Sequence, residues 1–382
     1  MKDTLLVTPY YDPNIVGGAE ISTQLIAESL PGRCDVLTFG RSNRERQVND
    51  VDVYQTNLQK YENIWAAPLD GTSLTSRNKL DGHLGTLWPS KRISIIYRDF
   101  IRKHGYKTVV MNANETVMDR PSLWKGAHDS GARVVLTLRD NSLLNKTIGG
   151  LDFGTVYRHL IRQQLCWVDA FVAPSQYMID LYAQSGMAKA DNRVIPNAVG
   201  KIDVSEVPFE DRSGVIFAGS VTEQKGITTL LEAARYFRSG DCLEIVGRGL
   251  LVGMCEDVDS VTVKEWMSRE NLYKEIAHRK VLVLPSVWPE AFGRVLVEAV
   301  MCGTLVVGSN AGGIPEVLNN DCRYVFEAGN SEQLAKKVNR ILGLSEDDYA
   351  RELRALQEKS RRFSKEHYAE AWAEVLDGGD DR

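Results

Sequence analysis

The sequence predicts an α/β protein made of two Rossmann-like, doubly wound domains facing across a cleft. Three observations lead there. Short apolar runs alternate with amphipathic helical patterns, the arrangement that gives parallel sheets covered by helices. At 382 residues the chain is long enough for two domains that each bury a core. The alternation also restarts at Gly214-Val215-Ile216-Phe217-Ala218, after a polar stretch at 198–212 that contains Pro208 and shows no clear periodicity. That stretch reads as the interdomain linker, placing one domain at 1–200 and the other at 201–362.

In the first half the apolar runs predict strands at 4–8, 35–39, 108–111, 133–138, 170–173 and 193–195. Helical periodicity predicts helices at 19–30, 93–103, 157–166 and 176–184. In the second half strands are expected at 214–218, 243–246, 281–284, 305–307 and 324–326. Residues 344–378 form a charged, strongly helical tail, and 363–382 are expected to cross back to the first domain. In the 93–103 helix, Ile93, Ile96, Tyr97, Phe100 and Ile101 make one stripe, expected to pack on the first sheet. Lys91, Arg92, Arg98, Arg102 and Lys103 surround it.

Composition bounds the function. The chain is 43% hydrophobic and 25% charged, ordinary for a globular protein, and its net charge of -5 argues against a general nucleic-acid binder. Residues 1–199 carry 23 Lys+Arg against 20 Asp+Glu, whereas residues 200–382 carry 23 against 31. An anionic acceptor or membrane surface would therefore meet the first half. The six cysteines have no C-x-x-C spacing and are expected to be cytosolic, mostly buried thiols. The six histidines form no H-x-H or H-E-x-x-H cluster, and the pairs Asp50/Asp52 and Asp257/Asp259 fall on loop or strand edges, so no metal is expected. No apolar run of membrane-spanning length exists, so any membrane contact is expected to be peripheral.

The most informative segment runs from Pro289 through Glu290, Ala291, Phe292, Gly293, Arg294 and Val295 to Glu298. The apolar run 281–284 precedes it and Ala299-Val300-Met301-Cys302-Gly303 follows, which predicts a strand, a loop carrying Glu290, a helix start near Gly293, and Glu298 within the helix. Free amides and aligned peptide dipoles at that helix start favour an anion. Eight helical residues rise roughly 12 Å, which sets one carboxylate on each side of a bound diphosphate and suits a sugar nucleotide. A surface helix with two solvated glutamates has the same spacing.

Three further loops follow predicted strands, where doubly wound sheets bind ligands. The first, Pro9 to Gly18, ends in the pair Gly17-Gly18, which allows close backbone approach. The second, Gly219 to Gly226, holds Ser220 and Lys225, a point charge suited to a phosphate. The third, Gly247-Arg248-Gly249, imitates a dinucleotide fingerprint with the wrong glycine spacing, so a nicotinamide enzyme is a weak reading.

Together these loops resemble the glycosyltransferase group 1 (family 4) class, with the GT-B fold. The resemblance rests on Gly17-Gly18-Ala19-Glu20, Ala173-Pro174-Ser175, Pro196-Asn197-Ala198-Val199, Gly219 to Gly226, Val246-Gly247-Arg248-Gly249, Pro285-Ser286, the two glutamates, Ala311-Gly312-Gly313-Ile314-Pro315-Glu316 and Phe363-Ser364-Lys365-Glu366. It implies a retaining, metal-independent hexosyltransferase using a UDP- or GDP-linked sugar and no further cofactor. The first domain would bind the acceptor, a glycan or lipid-linked sugar, and the second the donor. The implied setting is cytoplasmic, in polysaccharide or glycoconjugate biosynthesis, with possible peripheral contact at an anionic membrane.

Residue by residue, the resemblance implies that Glu290 holds donor-sugar hydroxyls and Glu298 the ribose hydroxyls. It gives the diphosphate to the amides of Phe292, Gly293 and Arg294, with Lys225 and the Gly17–Gly18 loop. Ala291, Val295 and Gly247 complete the donor loops. Two positions depart from the family. Ser220 stands where many relatives carry arginine, leaving Arg248 or Arg294 to supply the charge. Arg139-Asp140 stands where many carry histidine-aspartate; Arg139 cannot act as a base near neutral pH but can hydrogen-bond the sugar or an acidic acceptor. The alternatives are a catalytically silent nucleotide-sugar-binding partner subunit and a sugar phosphorylase or epimerase of the same fold. Residues 56–90, with Tyr61, Trp65 and Trp88, are the least family-like part and a candidate acceptor surface.

Overall fold

Runs that are apolar on both faces become the parallel strands, since such strands are covered by helices on each side. The computed structural model describes residues 2–13, 18–39, 42–56, 88–113, 121–144, 147–148, 151–152, 154–238 and 242–378. The chain divides into two compact units, one of Met1–Ala198 with Lys365–Arg382 and the other of Val199–Ser364.

The first unit contains β1 (Thr4–Val7), β2 (Cys34–Phe39), β3 (Arg44–Val48), β4 (Val51–Thr56), β5 (Thr108–Ala113), β6 (Arg133–Leu138), a small hairpin of β7 (Thr147–Ile148) and β8 (Leu151–Asp152), β9 (Ala170–Ala173) and β10 (Asp191–Val194). Eight of these form a sheet in the order β10-β9-β6-β5-β1-β2-β4-β3, all parallel except the β3–β4 pair. Strand order reverses at β1, which pairs with both β2 and β5.

The stripe on helix Lys91–His104 meets a second helix as well as the sheet expected to cover it. Ile93, Tyr97 and Ile101 are buried, and helix Pro121–Ser130 packs closely there. At Gly126 of that helix an added Cβ would lie 2.7 Å from the Ser94 carbonyl oxygen, so a larger residue would push the two helices apart. Phe100 reaches the sheet, edge-on to Tyr54 of β4 at 5.4 Å.

Helix Lys365–Asp377 completes this unit. Tyr368, Trp372, Val375 and Leu376 are buried with Leu25 and Ile26 of helix Gly18–Ser29. The Tyr368 hydroxyl donates to the Ser22 carbonyl at 3.2 Å, and Arg33 pairs with Asp377 at 2.8 Å. Arg133 donates to the Val375 carbonyl and pairs with Asp191.

The second unit contains β11 (Val215–Ala218), β12 (Leu243–Val246), β13 (Val261–Lys264), β14 (Val281–Leu284), β15 (Leu305–Ser309) and β16 (Val325–Phe326), in the parallel order β13-β12-β11-β14-β15-β16. The reversal falls between β11 and β14. Ligands of doubly wound sheets bind outside the carboxyl ends of the strands at such a reversal, so the loops after β11 and β14 become the ones to inspect.

Two expectations are corrected here. The stretch at 198–212 is not a free linker: Val199, Val207 and Arg212 are buried in the second unit, and Arg212 donates to the carbonyls of Val207 at 3.0 Å and Gly303 at 2.7 Å. The thiols are not mostly buried either, because Cys166, Cys242 and Cys322 are exposed while Cys34, Cys255 and Cys302 are buried. Among the described residues no helix is long and apolar enough to cross a membrane, and no group of three or more His, Cys, Asp or Glu could hold a metal.

Candidate functional site

The loops after β11 and β14 are fastened together at the strand-order reversal. The amides of Val287 and Trp288 both donate to the Gln224 carbonyl, at 3.0 and 3.1 Å. At Gly226, where φ is +72°, an added Cβ would lie 1.9 Å from the Pro285 carbonyl oxygen. Only glycine tolerates that conformation and that approach together.

This fastening brings Lys225, in the single turn Glu223–Lys225, to Glu290, 65 positions later. Lys225 Nζ donates to Glu290 Oε1, and Ser286 Oγ donates to the same oxygen at 2.6 Å. Ser286 is fully buried and its carbonyl accepts from Ser309 Oγ at 2.6 Å, which fixes it to β15. The Glu290 backbone pairs with Gly312, and its carbonyl accepts from the Gly313 amide at 2.7 Å. A Cβ at Gly312 would lie 2.2 Å from that carbonyl oxygen, which accounts for the glycine. Glu290 Oε2 accepts no hydrogen bond among the described residues.

Helix Arg294–Met301 begins at Gly293, which has φ +91° and supplies no side-chain cap. The first N–H groups of a helix lack a carbonyl four residues back within it; the Leu296 amide turns to the Gly293 carbonyl at 3.0 Å, and those of Gly293 and Arg294 stand at the helix start. The Phe292 side chain is committed to packing, 4% exposed and edge-on to Phe363 at 5.4 Å. Val295 is partly buried against the same core, and Ala291 is half-buried.

Glu298 lies one helical turn further in and is buried. Its Oε1 accepts from Arg294 Nε at 2.9 Å and from the Tyr273 hydroxyl at 3.2 Å, with Arg269 at 3.6 Å. Burial, with Glu298 beside it, pushes the Tyr273 phenol up to about 12, so it remains a donor. Glu298 Oε2, like Glu290 Oε2, accepts nothing among the described residues. Each glutamate thus has one oxygen held and one left over. The sequence reading missed Arg269 and Tyr273, because only folding brings their helix, Arg269–Ala277, against Glu298.

The other predicted positions are placed as follows. Ser220 is exposed beside β11. Gly247 backs onto Gly219, where a Cβ would lie 1.9 Å from its carbonyl oxygen, which accounts for this glycine. The Arg248 guanidinium lies over the exposed Trp266 ring at 5.9 Å from its centre. Arg294 spends Nε on Glu298, and its buried Nη1 has no partner among the described residues.

In the first unit, Arg139 Nη1 donates to Asn197 Oδ1, which also accepts from Ser22 Oγ at 3.1 Å, while Arg139 Nε is buried with no partner among the described residues. Arg139 is thus anchored to Asn197 and, through it, to helix Gly18–Ser29. Asp140 caps its own turn, accepting from the Ser142 amide at 2.9 Å, and its carbonyl accepts from the Tyr182 hydroxyl at 2.9 Å. Gly18 is the first residue of helix Gly18–Ser29. Gly17 lies outside the described residues, as do Tyr61 and Trp65, while Trp88 is exposed.

Comparison with known proteins gives the family and the fold. Residues 16–200 match Glycosyltransferase Family 4, and residues 200–363 match Glycosyl transferases group 1. The chain belongs to this glycosyltransferase class. An uncharacterised 42.6 kDa protein in the cps region of Klebsiella pneumoniae is 25% identical over 348 residues, covering 82% of this chain and 86% of that protein. An uncharacterised glycosyltransferase of Methanocaldococcus jannaschii is 25% identical over 362 residues, covering 88% of each. The crystal structure of Anabaena HepE in complex with UDP matches with a TM-score of 0.71 at 18% identity, covering 99% of this chain and 100% of that one, which shows a shared fold. That fold is GT-B.

Proposed function

We propose that the protein is a retaining, metal-independent hexosyltransferase that moves a sugar from a nucleoside diphosphate sugar to a hydroxyl of a glycan or lipid-linked acceptor. The observation that carries this reading is the convergence of Lys225, Ser286 and Glu290 beside the uncapped start of helix Arg294–Met301. Departure of the sugar leaves negative charge on the diphosphate. A fixed ammonium and free amides at a helix N-terminus stabilise that charge without reorganising. Lys225 has three N–H groups and gives one to Glu290, so others remain for phosphate oxygens.

Glu290 Oε2 is assigned to hydroxyls of the donor sugar and Glu298 Oε2 to the ribose. Gly17 and Gly18 are assigned to the diphosphate, and Arg139 with Asp140 to the sugar end of the reaction. In this reading the acceptor oxygen bonds to the anomeric carbon from the face the diphosphate leaves. The bond from that carbon to the phosphate oxygen breaks, its electron pair stays on the phosphate, and that oxygen takes the acceptor proton. No side chain is required as nucleophile. The UDP in the Anabaena structure supports a uridine-linked donor. The exposed Lys91 and Lys103 support peripheral contact with anionic lipid.

Incubation with UDP- and GDP-hexoses and a panel of glycan and lipid-linked acceptors tests the reading. Proton NMR of the product should show the anomeric configuration of the donor, and excess chelator should leave the rate unchanged. An inverted product, or activity lost with the metal, would overturn the corresponding part of the proposal.

A further inference from the structure

The first unit carries a recess built from residues that the donor reading does not use. Its volume is about 470 Å³, within the range of roughly 300–1,000 Å³ that suits small-molecule sites. β3 and β4 form one wall, with Arg44 paired opposite Gln55. The last turn of helix Lys91–His104 forms the other, through Phe100, Lys103 and His104. β4 runs parallel to β2, with Leu37 beside Tyr54.

Its apolar part is aromatic and held in place. Tyr54 meets Phe100 edge-on at 5.4 Å and His104 at 4.8 Å between ring centres. His104 stacks on Tyr106 at 5.8 Å with the rings 7° from parallel. The Tyr106 hydroxyl donates to the buried Asp35 carboxylate at 2.8 Å, and Lys2 pairs with Asp35 at 2.7 Å. The aromatic wall is therefore anchored to the sheet before any ligand arrives.

Its polar part is net cationic. Arg44 and Lys103 line the recess against one carboxylate, Glu45. Arg44 uses Nε on Ser42 Oγ at 3.1 Å, leaving its other N–H groups, and Lys103 makes no ion pair among the described residues.

We infer that this recess binds a saccharide bearing a carboxylate or phosphate. The C–H face of the sugar ring packs on Tyr54 and Phe100, removing apolar surface from water. Gln55 serves ring hydroxyls, and Arg44 and Lys103 take the anion. Such a ligand reaches the protein either as a free sugar phosphate or as an acidic residue within a longer glycan.

Isothermal titration of the full chain tests this with four probes: glucose 6-phosphate, a glucuronic-acid-containing disaccharide, the matching neutral disaccharide and inorganic phosphate. A charged saccharide is expected to bind at least about tenfold more tightly than the neutral disaccharide and than inorganic phosphate. The better of the two charged probes identifies the source. Lys103→Ala and Arg44→Ala, both at exposed positions, should each weaken it by about tenfold, and Tyr54→Leu should weaken charged and neutral saccharides alike. Glu290→Ala should change nothing, which separates this site from the donor site. Equal affinity for the neutral disaccharide or for inorganic phosphate would overturn the proposal. So would binding unchanged in the Arg44/Lys103 double variant, or no binding of either charged saccharide.

Discussion

Glu290 is held from three sides, by Lys225, by Ser286 and by the Gly313 amide on its own carbonyl. That redundancy separates two kinds of substitution. Lys225→Met removes a charge from the side of a loop while the backbone frame stays, so the protein should keep its melting temperature. Its turnover should fall by about 10²–10³, the usual cost of losing one preorganised group that stabilises developing charge; a rate within threefold of wild type would remove Lys225 from the chemistry. Gly226→Ala acts on the frame itself. Its Cβ would sit 1.9 Å from the Pro285 carbonyl oxygen at φ +72°, so both stability, by roughly 1–3 kcal/mol, and activity should drop. Gly253→Ala is the control: nothing lies within 4 Å of its Cβ, it sits in helix Val252–Glu256, and denaturant melts should show unchanged or slightly greater stability. The glutamate pair and Lys225 were readable from spacing and position after strands. Ser286 as a partner of Glu290, and Arg269 and Tyr273 as partners of Glu298, were not, because those contacts join residues from different elements.

At the scale of elements, runs buried on both faces announced themselves. The strands Arg133–Leu138, Ala170–Ala173, Leu243–Val246 and Val281–Leu284 coincide with the apolar runs read from the sequence. Two of the edge strands did not. β3 is Arg-Glu-Arg-Gln-Val and exposed nearly throughout, and β13 is only half covered, so neither shows an apolar run. The charged tail read as one helical stretch is in fact helix Glu346–Ser360, a single turn at Arg361–Phe363 and helix Lys365–Asp377. The turn before β16 makes a prediction at this scale. Asn319 and Asn320 have φ of 56° and 54°, and the Arg323 guanidinium behind them holds the Asp321 carboxyl below the usual carboxylate range. A carboxyl depressed on folding stabilises the protein above its unfolded value of about 3.9, and that stability is lost as pH falls through the folded value. Melting temperature should therefore drop on acidification below about pH 4 more steeply in the wild type than in Asp321→Asn.

At the scale of the whole molecule, a segment from the far end of the sequence completes the first unit. Trp372 is fully buried among Ile26, Leu25 and Tyr368, and its indole N–H has no partner among the described residues. Trp372→Ala should cost about 3–5 kcal/mol, whereas Trp372→Phe keeps most of the bulk and removes an unsatisfied polar group, so its cost should stay below about 1.5 kcal/mol. Urea melts followed by circular dichroism would measure both. The two-unit plan was legible because the alternation of strand and helix restarts at residue 214. The packing of 199–212 into the second unit was not, since a polar segment held by the buried Arg212 carries no periodicity. The central claim is that Glu290 and its surroundings hold a nucleoside diphosphate sugar for transfer. Turnover and nucleoside diphosphate binding measured side by side in Glu290→Ala test it most directly. The account predicts that turnover disappears while the nucleotide still binds through the amides at the start of helix Arg294–Met301, Lys225 and Glu298; turnover undiminished in that variant would contradict it.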